Sequence, residues 1–388
     1  MGCSTAWRRC VGRMNCGPEF ELIERLFAEP LRRSGGGRAL AHPQALGIGD
    51  DAAVLAPLPA DQQLVFASDL LVEGRHYFPE VDPRSLGHKM LAVNCSDLAA
   101  MGAQPLACTL SMAIRRSRVG PNASRQDRDW LAQLAQGLQD LATQTGCSLV
   151  GGDTVGLDDD QPESFSIAIL GTVPVGQALR RDGLQPGDQI WVSGQLGDGA
   201  WAVRHRLANE RLNWPQPRLA LGQALRGLAH AAIDVSDGLS CELGHLAVAS
   251  AERLGQPLVI QVELLSLARC LGPGLAGQLA SGELSTEQAC CLAAASGDEY
   301  ELCFAAPAEA HDQVMQLGRD LGLLLTPIGC VVQAVDPEIG TQSQRSAAGA
   351  PVGLAGSVGS VAWLDDQRRP LPAERRPSAG FDHFGVSA

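Results

Sequence analysis

Apolar and polar positions alternate with two different periods along this chain. In "GPEFELIERLFAEPL", Phe20, Ile23 and Phe27 recur at helical spacing behind Pro18, which suits a first helical position. "QLVFASDLLV" reads as a strand ending at Asp69. "DPRSLGHKMLAVNCSDLAAMGA" predicts a helix capped by Asp82 and begun by Pro83, with Leu86, Met90 and Val93 on one face. "RQDRDWLAQLAQGLQDLATQTG" predicts a second amphipathic helix that stops at Gly146. "CSLVGGD" and "FSIAILGTV" are strand-like. Strands alternate with helices, so a mixed α/β architecture is expected.

The texture changes near residue 175, where "LQPGDQIWVSGQLGDGA" carries a Pro-Gly turn before a strand. A second α/β stretch follows through "AAIDVSDGLSCELGHLAVASAERLG" and "GDEYELCFAA". Val331 to Pro372 is rich in Gly, Ala, Ser and Gln and reads as loops. A boundary at 172–178 therefore predicts two domains, 14–172 and 173–388, with residues 1–13 as a disordered extension. A length of 388 residues suits that division.

Composition narrows the possible functions. The formal net charge of −13 argues against a nucleic-acid backbone or an anionic membrane surface as partner, since both require clustered positive charge. No run is long and apolar enough to span a membrane. The chain has one lysine, Lys89, in "GHKML". A phosphate-binding loop of the G-x-x-x-x-G-K-[ST] type and the strand lysine of a protein kinase are both ruled out. Nucleotide phosphates would have to meet arginine, backbone N–H groups or metal ions. The twelve cysteines form no C-x-x-C, and Cys290–Cys291 lies in an Ala/Leu-rich helical stretch poorly placed for zinc. Reduced thiols in a cytoplasmic protein are the expectation.

The candidate chemistry is acidic. "GIGDDAAVL" places Asp50 and Asp51 after a Gly-x-Gly turn. Asp69 sits in "ASDLL", Asp97 in "NCSDLAAMGA" and Asp153 in "GGDTVG". Asp234 and Asp237 flank Ser236 in "IDVSDGLS", and Asp298 and Glu299 sit in "SGDEYEL". Any one of these alone reads as a turn former or helix cap. Together they repeat one pattern, a carboxylate beside small residues at the end of an apolar run. A carboxylate in that setting is costly unless paired or coordinated. The chemistry that wants such a set is oxygen-only metal binding. Mg²⁺ prefers carboxylates, water and substrate phosphates, so a nucleoside triphosphate is the expected ligand.

The series "GIGDDAAVL", "ASDLLVEGRHYFPEVDP", "HKMLAVNCSDLAAMGAQP", "LVGGDT", "IDVSDGLSCELGHL", "SGDEYELCF" and "FDHF" resembles the thiamine-monophosphate kinase family in order and approximate spacing over about residues 14–384. The resemblance implies a two-domain fold like that of aminoimidazole ribonucleotide synthetase. Its N-terminal sheet domain would form a homodimer interface, and its active site would lie in the cleft before the C-terminal α/β domain. It implies transfer of the ATP γ-phosphoryl group to thiamine monophosphate, the last step of thiamine diphosphate synthesis. By position, the resemblance makes Asp51, Asp69, Asp97, Asp153, Asp234 and Asp237 ligands of several Mg²⁺ ions, with Ser68 helping through its hydroxyl. Gly152, Asp153, Arg181 and Ser236 resemble ATP-contacting positions. His76, Asp298 and Phe381 resemble substrate-contacting positions, and Asp50 is read as a loop-shaping neighbour of Asp51. No general base is expected, because a phosphate acceptor is already ionised.

His76 alone reads more readily as a satisfied or surface histidine, Arg181, beside Arg180 and Asp182, as a surface ion-pair partner, and Phe381 as a core anchor for the C-terminal tail. There are departures from the family pattern. Ala67 stands where many relatives carry a hydroxyl, Ser296 replaces a glycine before Gly297, and Ala135 and Gln136 stand where some relatives have a tyrosine. Two alternatives compete with the kinase. A catalytically silent nucleotide- or thiamine-phosphate-binding protein would have lost metal-binding carboxylates, which this chain keeps. Other enzymes of the same fold use a reactive Cys and Lys near the N-terminus or a C-terminal cysteine, and this chain ends "FGVSA".

Overall fold

The computed structural model describes residues 22–29, 37–119, 123–207, 210–333, 359–378 and 380. The described residues form two compact units. One holds the residues up to Asn94 together with Pro105–Thr172, and the other holds Cys95–Gln104 together with Val173 onward. Residues 1–13 and Phe381 lie outside the described residues.

The first unit is built on a four-stranded sheet of β1 (Gln62–Val72), β2 (Gln104–Arg115), β3 (Ser148–Leu157) and β4 (Ser164–Pro174), in the order β1-β4-β2-β3. β2 and β3 run parallel, with a bulge where Cys108 pairs Leu149 and Thr109 pairs Gly151. β1 runs three residues beyond Asp69, because the alternation of exposed and sheltered positions continues to the buried Leu71. Helix α1 (Pro83–Ala100) begins as the sequence predicts: Asp82 Oδ2 accepts the Ser85 N–H at 2.8 Å. Its burial is wider than one face, since every residue from 85 to 96 is buried. Helix α2 (Arg125–Thr145) opens on a capping box between Ser124 and Asp127 and stops at Gly146, which takes φ 71°. The two helices meet through glycines. A Cβ on Gly87 would lie 1.9 Å from Leu134 O, and one on Gly137 would lie 1.8 Å from Arg84 O. Residues 24–28, expected to be α-helical, form a π-helical turn.

The second unit is built on a six-stranded sheet of β5 (Asp188–Ser193), β6 (Ala231–Asp234), β7 (Leu258–Glu263), β8 (Leu302–Pro307), β9 (Leu325–Gln333) and β10 (Gly359–Leu364). The strand order is β10-β7-β9-β5-β8-β6, antiparallel except for β10 on β7. β10 corrects the reading of 331–372 as loops. It lies within that Gly/Ser-rich stretch but gains six residues of pairing with β7.

Strand alternation gives this sheet two apolar faces. Ile190, Val192, Cys303 and Ala305 join one core with Leu239, Leu243 and Leu246 of α4 (Leu239–Leu254). Trp191, Leu302 and Phe304 join the other with Leu221, Leu225 and Val314 of α7 (His311–Leu321). The remaining helices of eight or more described residues are α3 (Asp198–His205), α5 (Pro273–Ser281) and α6 (Thr286–Ala294). The end of α1 belongs to the second unit because Ala99 and Ala100 pack in that second core, with Gly222 so close that a Cβ would lie 1.9 Å from Ala99 O.

Candidate functional site

In the first unit the "GIGDDAAV" turn is closed by Leu46 and Val54, which exchange both backbone hydrogen bonds at 2.8 and 2.9 Å. Asp50 Oδ1 accepts the Asp51 N–H at 2.8 Å, so Asp50 shapes the turn. Asp51 is exposed. Asp69 is clamped on β1: its N–H donates to Asn94 Oδ1 at 3.1 Å, and its carbonyl accepts from Ser166 Oγ at 3.0 Å. Ser68 lies on the opposite face of the strand, among the exposed Leu64, Phe66 and Leu70, because neighbouring strand residues point to opposite faces. Its hydroxyl therefore does not share a face with the Asp69 carboxylate.

Asp153 is exposed on β3, with Oδ1 accepting the Thr154 N–H at 2.9 Å. Beside it Gly152 tolerates no side chain, since a Cβ would lie 1.9 Å from Leu110 O. His76 sits in the turn after β1. Its Nδ1 accepts the Val72 N–H at 3.0 Å, which places the ring proton on Nε2. Lys89, the single lysine, is buried and donates to His76 O at 3.2 Å, so it supports this turn.

In the second unit Asp234 ends β6 and is buried, accepting the Ser96 hydroxyl at 2.8 Å. Burial pushes its carboxyl above the ordinary range, against the Ser96 hydrogen bond and the charge of Arg181, while Asp237 adds to the rise. Asp97 follows Ser96 on α1 and is half-buried. Glu242, from the first turn of α4, accepts the Asp237 N–H at 3.3 Å and the Ser236 hydroxyl at 3.4 Å. Burial first, then the charges of Asp234 and Asp237, push Glu242 up to about 7. Arg181 acts electrostatically on Asp234, Glu242 and His245, so its charge belongs to this cluster. Asp298 is brought to the same loop, its N–H donating to Ser236 O at 2.8 Å. A Cβ on Gly380 would lie 2.2 Å from Asp237 O, so the chain neighbour of Phe381 also reaches this loop.

A second acidic network grows from the same "SGDEYEL" motif, and its arginine partners lie outside every motif. Glu301 takes Arg218 through Nε at 2.7 Å and Nη2 at 2.6 Å, Arg211 Nη2 at 3.0 Å and the Ser193 hydroxyl at 2.6 Å. Glu299 Oε1 accepts the N–H groups of Gly197 and Gly199 at 2.8 and 3.1 Å. The amides of the glycine-rich "GQLGDGA" turn are thus occupied by a carboxylate. Burial pushes Glu299 up to about 7. Ser296 serves this network as well: its hydroxyl donates to Glu299 Oε1 at 2.5 Å and accepts the Ala200 N–H at 2.9 Å. The arginines sit in no recognisable pattern. The alternation of Asp298 and Tyr300 with Glu299 and Glu301 is the available clue.

Among the described residues, no three His, Cys, Asp or Glu side chains converge tightly enough to close a metal site by themselves. The donor set is nevertheless oxygen-rich and fits a hard cation that takes one or two protein carboxylates and completes its shell with phosphate and water.

Residues 49–173 match the family model "AIR synthase related protein, N-terminal domain". The thiamine-monophosphate kinase of Escherichia coli K12 is 38% identical over 333 residues, 82% of this chain and 91% of the relative. The crystal structure of thiamine-monophosphate kinase from Stenotrophomonas maltophilia is 39% identical, with a TM-score of 0.66 over 83% of this chain and 95% of its own. The structure of AaThiL complexed with AMPPCP and TMP shares the fold at 23% identity, with a TM-score of 0.59 over 72% of this chain and 84% of its own. With more than a third of residues identical across nine-tenths of a relative's length, this chain belongs to the thiamine-monophosphate kinase family.

Proposed function

We infer that this protein transfers the γ-phosphoryl group of ATP to the phosphate of thiamine monophosphate, giving thiamine diphosphate and ADP. The observation that carries this reading is the identity to thiamine-monophosphate kinases over 82% of the chain. The retained carboxylates support it. AaThiL, with the same fold, binds AMPPCP and TMP.

The physical problem of the reaction is repulsion between two polyanions. At 4 Å each pair of unit charges repels by about 1 kcal/mol in water and about 4 kcal/mol at an effective dielectric near 20. Asp51, Asp69, Asp97, Asp153, Asp234 and Asp237 would hold several Mg²⁺ ions, which when bound would supply the countercharge that the two phosphate groups need. Ser68 is the weakest candidate, since its hydroxyl lies across the strand from Asp69. Gly152, Arg181 and Ser236 are assigned to ATP, where an arginine replaces the lysine that this chain lacks at a phosphate site. His76 can donate from Nε2 to the substrate. Asp298 offers negative charge to its cationic thiazolium, and Phe381 an aromatic face. The attacking phosphate oxygen is already ionised, so no side chain is needed as general base.

The exposed apolar stripe of β1, with Phe66 67% and Leu64 and Leu70 just over half accessible, supports a homodimer formed through this sheet. None of the nine cysteines among the described residues is in a disulfide, which supports a cytoplasmic location. No described helix is long and apolar enough to cross a membrane.

The test is direct. Purified protein with ATP, Mg²⁺ and thiamine monophosphate should form thiamine diphosphate and ADP, and chelation by EDTA should abolish turnover. Absence of product with nucleotide binding retained would favour a silent binder instead.

A further inference from the structure

We propose that Tyr300 is a positioning residue that aims the Asp298 carboxylate at thiamine monophosphate. The proposal rests on the reading of Asp298 as a substrate contact.

The "GDEYE" segment alternates strictly. Glu299 and Glu301 point inward, with side chains only 1% accessible, while Asp298 and Tyr300 are half-buried. Asp298 and Tyr300 both adopt left-handed backbone, at φ 60° and 51°. Non-glycine residues rarely hold that conformation, and a pair of them persists only when the surroundings fix it. Here the surroundings do. The Asp298 N–H donates to Ser236 O and the Tyr300 N–H to Val235 O, each at 2.8 Å. Between them, Glu299 is tied to Gly197, Gly199 and Ser296. With the backbone fixed, contacts to its side chain set where the Asp298 carboxylate points. The Tyr300 hydroxyl makes one of them, donating to Asp298 Oδ1 at 3.0 Å.

A carboxylate has about four lone-pair directions, so one phenol can set its orientation without exhausting its capacity. The ligand group served is the cationic heteroaromatic end of the substrate, because the acceptor phosphate would be repelled by Asp298.

The test compares Tyr300→Phe, Asp298→Asn and the double variant by steady-state kinetics, with fold checked by thermal midpoint. Tyr300→Phe should raise the KM for thiamine monophosphate about fivefold. The KM for ATP and kcat should stay near wild type. Because Tyr300 acts through Asp298, the double variant should match Asp298→Asn alone. If Tyr300→Phe does not fold, Tyr300→Asn takes its place, since Asn tolerates left-handed backbone and lacks the phenol. A raised KM in Asp298→Asn with none in the Tyr300 variant, or effects that multiply in the double variant, would overturn the proposal. An unchanged KM in Asp298→Asn would instead overturn the substrate-contact reading, and the proposal with it.

Discussion

Ser96 Oγ donates a 2.8 Å hydrogen bond to the buried Asp234 Oδ2, joining the helix that carries Asp97 to the strand that leads into "DVSDG". Burial works against the charged form of Asp234, and Ser96 opposes it. Ser96→Ala should therefore raise the Asp234 pKa further and move the acid limb of the pH–rate profile to higher pH. If Asp234 serves Mg²⁺, the concentration of Mg²⁺ needed for half-maximal rate should rise about tenfold. A variant with wild-type Mg²⁺ dependence and pH profile would refute this role.

Gly137 and Gly87 set how closely α1 and α2 approach. Gly137→Ala would place a Cβ 1.8 Å from Arg84 O, so the helices must separate. The expected loss is about 1–3 kcal/mol, read as a lower midpoint in denaturant. Gly277 is the control. It lies in α5, where an added Cβ would meet nothing within 4 Å, so Gly277→Ala should stabilise by about 0.4–1 kcal/mol. Equal effects at the two positions would contradict the close-packing account.

Glu299 links stability to pH. Its folded pKa is about 7 against an ordinary 4.5, raised by burial. Between these values the folded state holds a proton that the unfolded state has lost. The stabilisation from this group is full below about 4.5 and is lost as pH rises toward 7, by on the order of 1–3 kcal/mol. Glu299→Gln should flatten this slope in urea titrations across that window. A slope unchanged by the substitution would place its origin elsewhere.

The apolar stripe on β1 predicts the assembly. Phe66→Asp puts a charge at the most exposed of its large apolar residues. Sedimentation equilibrium should show a dimer for wild type and a monomer for the variant. A monomeric wild type, or a variant that remains dimeric, would remove the stripe as the interface.

Much of this is legible in sequence because it is local. Asp82 and Pro83 start α1 and Gly146 ends α2, since capping and left-handed termination act within a few residues. The acidic motifs are legible because each combines a carboxylate with the small residues of a turn. Other features require the folded chain. No local pattern signals that Ser96 meets Asp234 across 138 positions, or that Lys89 supports the His76 turn. The region around β10 reads as loop by composition and becomes a strand only because β7 offers a parallel partner. Ser68 and Asp69 are neighbours in sequence, yet the pleat sends them to opposite faces. In "GDEYE", sequence determined that four polar residues follow a glycine. Tertiary contacts decided which of them are held inside, Glu301 by Arg211 and Arg218 and Glu299 by the Gly197 and Gly199 amides, and which remain half-exposed, because a buried carboxylate persists only where donors from distant segments converge on it.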